Sequence, residues 1–282
     1  MDVHKDSFTL TYFDKVKNET KKSVTFPSDV KNVVKYVENI KAEYDFKVDI
    51  VCGYEAGCLG YSLLRDLTRY GITCIILAPS TMAVTNTNRV KTDRKDAGNI
   101  ARCLAFGTYS AVYVPTEEDN AVKEYVRMRD DHKLSLKKIK QQILSLVLRY
   151  GKQFTGGKTY WTGIHLEWLR NLELGSLERE TLSEYLATYD FLESKIDRLD
   201  MRIEEIAFSE KYEESVKKLI CFSGIKTHTA LSLIVETGDF RRFDKAEKFA
   251  GYLGLVPCEN SSGNSIKRGS ITKVGNSHLR SF

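Results

Sequence analysis

Val48-Asp49-Ile50-Val51-Cys52-Gly53-Tyr54-Glu55-Ala56-Gly57 opens with a compact apolar run and ends in an acid bracketed by glycines. Val48 to Cys52 is short and apolar, the form of a buried strand. Leu59 to Tyr70 then reads as a helix, Gly71 breaks it, and Thr73 to Leu77 is a second buried strand closed by Pro79. Upstream, Ser7 to Phe13 alternates and is rich in β-formers, Lys15 to Thr20 is a polar turn, and Lys21 to Phe26 completes a hairpin. Ser28 reads as the cap of a helix whose stripe of Val30, Val33, Val34, Val37 and Ile40 runs to about Tyr44. Downstream, Ala111 to Val114 reads as a last short strand before Pro115. Antiparallel strands followed by helices alternating with buried strands predict an α/β fold built on a mixed sheet.

In such sheets, ligands and catalytic groups gather where strands end. Glu55 lies just past the end of its expected strand, and Gly53 and Gly57 leave room for a phosphate or another backbone beside it. Asp2 comes just before the hairpin. Two further acids stand in Arg89-Val90-Lys91-Thr92-Asp93-Arg94-Lys95-Asp96-Ala97. Ala97, Ile100, Ala101 and Leu104 mark a helix starting there, so Asp93 and Asp96 share one face, one turn apart. Carboxylates so placed, ringed by Arg89, Lys91, Arg94 and Lys95, can hold a divalent metal against a phosphate. Acids at a helix start also simply oppose the helix dipole, and that reading applies to Glu55, Asp93 and Asp96 alike.

Composition narrows the class. A chain of 282 residues, 42% hydrophobic, can bury one large core or two smaller ones. No window has the apolar length of a membrane span, and Met1-Asp2-Val3-His4-Lys5-Asp6 lacks a basic-then-apolar leader, so a cytoplasmic protein is expected. Six cysteines (52, 58, 74, 103, 221, 258) form no C-x-x-C pair and mostly sit in apolar runs. Reduced, buried thiols are expected, with neither disulfides nor zinc. The formal charge of +5 is mild, and its distribution is more informative than its size.

Thr116 to Tyr150 reads as one long helix with Val122, Val126, Leu136, Ile139, Ile143, Leu146 and Tyr150 on one stripe. Lys123, Arg127, Arg129, Lys133, Lys137, Lys138, Lys140, Arg149 and Lys152 occupy its other faces. This is either a nucleic-acid track or a solvated helix. After a Gly- and Thr-rich break carrying Trp161, Tyr189, Leu192, Ile196, Leu199, Ile203 and Ile206 form an a/d heptad series. That helix is expected to pair with the first, within one chain or between two. From Val216 onward, a helix, a tight turn at Gly224 and another helix form a hairpin, followed by a helix over Lys245 to Gly251. The loop Asn260-Ser261-Ser262-Gly263-Asn264-Ser265-Ile266-Lys267-Arg268-Gly269 comes next. A serine beside Gly263, flanked by Lys267 and Arg268, could attack a phosphodiester, although Ser-Gly loops are commonly plain turns.

Taken together, these segments resemble the insertion-sequence 110 transposases, a family that includes Piv-type DNA invertases and RNA-guided bridge recombinases. Asp2-Val3-His4-Lys5-Asp6 resembles the end of the family's Gly-Ile-Asp-Val-x-Lys motif. Tyr54-Glu55-Ala56-Gly57, Lys91-Thr92-Asp93-Arg94-Lys95-Asp96-Ala97, Gly254-Leu255-Val256-Pro257, Ser261-Ser262-Gly263 and Ile271-Thr272-Lys273-Val274-Gly275-Asn276 resemble its other blocks, in order. The resemblance implies an RNase H-like (RuvC-like) domain over 1–115, a coiled-coil helical insert over 116–212, and a small, mostly α C-terminal transposase domain over 213–282. It implies that Asp2, Glu55, Asp93 and Asp96 form a DEDD tetrad binding Mg²⁺, with Mn²⁺ as a close second. Ser262 takes the place of the nucleophile that joins DNA covalently. Lys91, Arg94, Lys95, Lys267, Arg268 and Lys273 become candidate nucleic-acid contacts. The implied partners are DNA, a structured guide RNA in the bridging branch, and further copies of the chain in a dimer or tetramer.

Two departures from the family pattern stand out. Met1 occupies the place of the last apolar residue before the first aspartate, so most of the central strand is missing and Asp2 should be held loosely. Leu279-Arg280-Ser281-Phe282 stops inside a family helix. A truncated, weakly active or inactive copy is therefore expected. Two other functions remain open: a junction-resolving nuclease that needs the acids but no serine, and a nucleic-acid-binding remnant.

Overall fold

The computed structural model describes residues 1–82, 92–261, 265 and 267–281. Lys91 and Ser262 lie outside these described residues. The chain divides into two compact units, Met1–Val114 and Pro115–Phe282.

The first unit is mixed α/β. β1 (Asp2–Val3) pairs antiparallel with β2 (Ser7–Leu10), setting Asp2 opposite Thr9, and β2 pairs antiparallel with β5 (Val24–Pro27). The hairpin tip forms a ladder of its own, β3 (Phe13–Asp14) with β4 (Glu19–Thr20), where a plain turn was expected. α1 (Val30–Glu43) is capped by Asp29, whose Oδ1 accepts the Lys31 N–H at 2.8 Å. Ser28, the expected cap, instead donates its hydroxyl to the Lys5 carbonyl at 2.6 Å.

β6 (Val51–Glu55) runs parallel to β7 (Thr73–Leu77) across α2 (Ser62–Arg69). The expected strand at Val48 to Cys52 is thus shifted toward the C-terminus. The turn after α1 puts Asp45 and Phe46 in the left-handed region, and the ladder begins only at the Val51–Thr73 pair. Glu55 is consequently the last residue of its strand. Ala111 to Val114 is no strand: it contributes one bridge, Ala111 to Leu77, and a hydrogen bond from the Val112 N–H to the Ile76 carbonyl. α3 (Asp93–Phe106) completes the unit.

The Met1 nitrogen donates to the Gly53 carbonyl at 2.8 Å and ties β1 to β6. Phe8, Leu10, Val33, Val37, Tyr54, Leu67 and Ile76 form the core shared by the β1–β2–β5 and β6–β7 sheets. Beside Met1 a cavity of about 670 Å³ opens, with Leu10, Tyr12, Val37, Ile50, Cys52 and Ala101 among its walls. Asp2, for which a loose hold was expected, pairs with Thr9 in the ladder, and its side chain is 17% exposed.

The second unit is mostly helical. α4 (Glu117–Arg149) packs along α6 (Ser176–Ala207) within one chain, with α5 (Gly163–Arg170) between them in sequence. Leu136, Ile143 and Leu146 meet Leu182, Leu186, Tyr189, Leu192 and Ile196 in one core. A second core joins Val126, Ile203 and Ala207 to Val216 of α7 (Glu213–Ile220) and to Ala230, Leu231 and Val235 of α8 (Thr227–Thr237).

Four basic residues of α4 are engaged inside this unit. Lys123 and Arg129 are buried, and Arg129 forks onto Asp200 at 2.6 and 2.8 Å. Arg127 forks onto Glu236, and Lys140 bonds Glu193 at 2.8 Å. Such fork contacts hold the guanidinium in one geometry. Of the proposed track, Lys133, Lys137, Lys138 and Arg149 stay exposed.

The C-terminal part contains α9 (Ala246–Leu253), β8 (Pro257–Glu259), β9 (Arg268–Ile271) and α10 (Ser277–Arg280). β8 and β9 pair antiparallel, so part of the expected polar loop is a hairpin. The cysteines also depart from expectation. Cys52 and Cys103 are buried, but Cys58, Cys221 and Cys258 are exposed free thiols.

Candidate metal centre

Thr92 caps α3, its hydroxyl accepting the Lys95 N–H at 3.4 Å. That cap places Asp93 and Asp96 on the first turn, where carboxylates suit the positive end of the helix dipole. α3 lies against β6 because Gly53 has no side chain. A Cβ there would stand 2.8 Å from Leu104 Cδ1 and 3.0 Å from the Ile75 carbonyl. That contact is made by Leu104 in the last turn of α3, while the helix also packs against β1.

Asp2 and Asp93, remote in sequence, meet around His4. His4 Nε2 is 3.4 Å from Asp2 Oδ2 and 3.9 Å from Asp93 Oδ1, and one donor atom from each of the three lies within 4.8 Å of the others. Donors held about 2.1 Å from an ion stand roughly 3 Å apart when adjacent and about 4.2 Å when opposite, so the trio fits one divalent cation with small adjustment. Burial pushes the Asp2 carboxyl above its ordinary value. His4 opposes that shift, while Asp93 and Asp96 add to it. Negative charge is thus concentrated there, the condition a cation relieves.

Of the sequence-derived acids, Asp2 and Asp93 come together, and Asp96 acts on Asp2 through its charge. Glu55 stands at the end of β6, outside the trio. Arg94 and Lys95 are exposed on the same helix turn. Lys267, Arg268 and Lys273 are exposed in the second unit, where Arg268 Nε pairs with Glu259 at 3.2 Å. Ser261, next to the expected nucleophile, donates to Glu259 at 2.9 Å and accepts the Lys267 N–H at 3.1 Å.

His4 was missed in the sequence. The only signal was proximity along the chain, since His4 stands two residues after Asp2, just past the end of β1.

A mixed α/β unit that gathers carboxylates from a strand and a helix start has the layout of a DEDD transposase domain. The DEDD transposase model of IS110 type matches residues 1–151, and a second model, described as the transposase IS116/IS110/IS902 family, matches residues 217–282. The chain is 35% identical over 86% of its length to the transposase for insertion sequence element IS1533 of Leptospira borgpetersenii, covering 69% of that protein. It is 34% identical over 81% of its length to y4qE of Sinorhizobium fredii, also named as a transposase, covering 55% of it. The chain belongs to the IS116/IS110/IS902 family of DNA transposases. Among the described residues no helix is long and apolar enough to cross a membrane.

Proposed function

We propose that this chain is a metal-dependent insertion-sequence transposase that cuts and rejoins DNA. One observation carries the reading: carboxylates from β1 and from the start of α3 converge within donor distance around one point. Asp2 and Asp93 hold the ion, Mg²⁺ or Mn²⁺, with Asp96 and Glu55 completing the tetrad on an RNase H-like sheet. A bound divalent cation neutralises charge that develops on a phosphate under attack. Arg94 and Lys95 grip the DNA backbone beside it, and Lys91, Lys267, Arg268 and Lys273 are further backbone contacts.

Ser262 is the nucleophile. Its oxygen forms a new bond to phosphorus while one bridging DNA oxygen leaves with the electron pair and takes up a proton. The paired long helices act as a coiled-coil spacer, and the chain works in the cytoplasm as a dimer or tetramer, with a structured RNA as a further partner. The division 1–115, 116–212 and 213–282 follows these three tasks.

The test is a cleavage assay on the cognate element ends, with trapping of covalent protein–DNA adducts. An adduct mapped to Ser262, lost in Ser262→Ala and in Asp93→Asn, supports the reading. Cleavage undiminished in Ser262→Ala makes the protein a hydrolytic nuclease instead. DNA binding without cleavage in any divalent ion makes it a binding remnant.

A further inference from the structure

We propose that His4 is itself a ligand of the divalent cation, giving the centre a nitrogen donor that biases it toward first-row transition-metal dications over Mg²⁺. The inference rests on the reading above that Asp2 and Asp93 hold a metal.

The argument begins with the turn that carries His4. The His4 N–H donates to the Ser7 carbonyl at 2.9 Å, closing the β1–β2 turn. Ser28 clamps the same turn twice, through its N–H to the Asp6 carbonyl at 3.2 Å and its hydroxyl to the Lys5 carbonyl at 2.6 Å. His4 therefore sits on a pinned backbone, the kind of support a ligand needs to keep its aim.

His4 directly follows the last residue of β1, and its imidazole faces the Asp2 and Asp93 carboxylates. Nε2 is the ring atom turned to both carboxylates. A neutral imidazole uses that nitrogen to bind a metal. The imidazole is 55% exposed, so an ion can reach the centre from solvent.

Ligand chemistry sets the preference. Mg²⁺ favours oxygen donors and gives up water reluctantly, whereas imidazole suits the later first-row ions. An all-carboxylate centre would leave the two classes closer together. The alternative role for His4 is a simple ion pair with Asp2, which contributes no selectivity.

The experiment uses the full chain, with Co²⁺ and Mg²⁺ as probes, in wild type, His4→Ala and Asp93→Asn, each checked for fold by circular dichroism. Calorimetry measures both affinities, and proton NMR of the Co²⁺-loaded protein looks for a hyperfine-shifted imidazole N–H. Wild type should bind Co²⁺ more tightly than Mg²⁺ and show the shifted signal. His4→Ala should lose that signal and roughly tenfold in Co²⁺ affinity, keeping Mg²⁺ within about twofold, while Asp93→Asn weakens both ions. Unchanged Co²⁺ selectivity in His4→Ala, with binding still dependent on Asp93, overturns the role of His4 and leaves the carboxylate centre standing. Binding of neither ion by wild type, or binding indifferent to Asp93→Asn, overturns both.

Discussion

Asp93 Oδ1 lies 3.9 Å from the same His4 nitrogen that stands 3.4 Å from Asp2. A helix start and a strand are thereby joined through one imidazole. Asp93 is exposed, so Asp93→Asn should leave the fold intact. It should weaken divalent-ion binding by about 10- to 100-fold. Calorimetry beside a thermal melt in chelator checks both halves: the melting temperature should not fall.

Gly53 sets how near α3 comes to β6. In Gly53→Ala the new methyl would meet Leu104 and Leu77 side chains at 2.8 and 2.9 Å and the Ile75 carbonyl at 3.0 Å. The leucine ends can turn, but the carbonyl belongs to the neighbouring strand and cannot. A loss of about 1–3 kcal/mol is expected, read from the denaturant midpoint. Leu104 is on α3, so ion affinity should fall as well, unlike in a surface variant of equal stability.

Gly254 and Gly275, both in motif blocks, interlock. A Cβ on Gly254 would lie 2.1 Å from the Val274 carbonyl oxygen, and one on Gly275 the same distance from that of Tyr252. Both have φ in the left-handed range, 69° and 98°. Gly275→Ala combines overpacking with backbone strain and should cost roughly 2–5 kcal/mol. Limited proteolysis should show early cleavage between α9 and α10.

Glu236 is the buried anchor of the second unit. It takes the fork of Arg127 at 2.5 and 2.9 Å and the Asn276 amide at 2.8 Å. Burial alone would raise its pKa, but these donors outweigh burial and hold it below the ordinary 4.5. Its contribution is complete above that value and is lost as pH falls through the depressed folded value. Glu236→Gln leaves a half-buried guanidinium without its carboxylate and should cost about 1–3 kcal/mol at neutral pH. Urea midpoints at pH 3 and 7 should converge for the variant more than for wild type.

His165 is fully buried among Phe154, Tyr160, Trp161 and Trp168, with ring centroids 4.9 to 5.7 Å away. Its Nδ1 accepts the Trp161 backbone N–H at 3.1 Å, which leaves the ring proton on Nε2. Burial lowers its pKa below 6.5. The unfolded chain then binds the proton first, so stability is complete above 6.5 and declines as pH drops below it. Trp161 and Trp168 are the chain's two tryptophans, and their fluorescence reports this cluster directly. His165→Phe should flatten the pH dependence of that signal between pH 6.5 and 5.

Local pattern carried much of this molecule. Strands mixed with helices, the start of α3 at Asp93, and the buried heptad positions Tyr189, Leu192, Ile196, Leu199 and Ile203 are all legible from residue spacing. Capping and periodicity are properties of neighbours along the chain, which is why spacing reveals them. The motif order likewise pointed to the transposase family.

What depends on partners distant in sequence was decided by folding alone. Arg127 and Arg129 look like surface charge until α8 and α6 bring Glu236 and Asp200 against them. The register of β6 follows from its ladder with β7, which moved Glu55 onto the strand's last position. His4 gains its place only when α3 carries Asp93 over to β1. Spacing encodes which face a side chain occupies; three-dimensional packing decides which charges that face will meet.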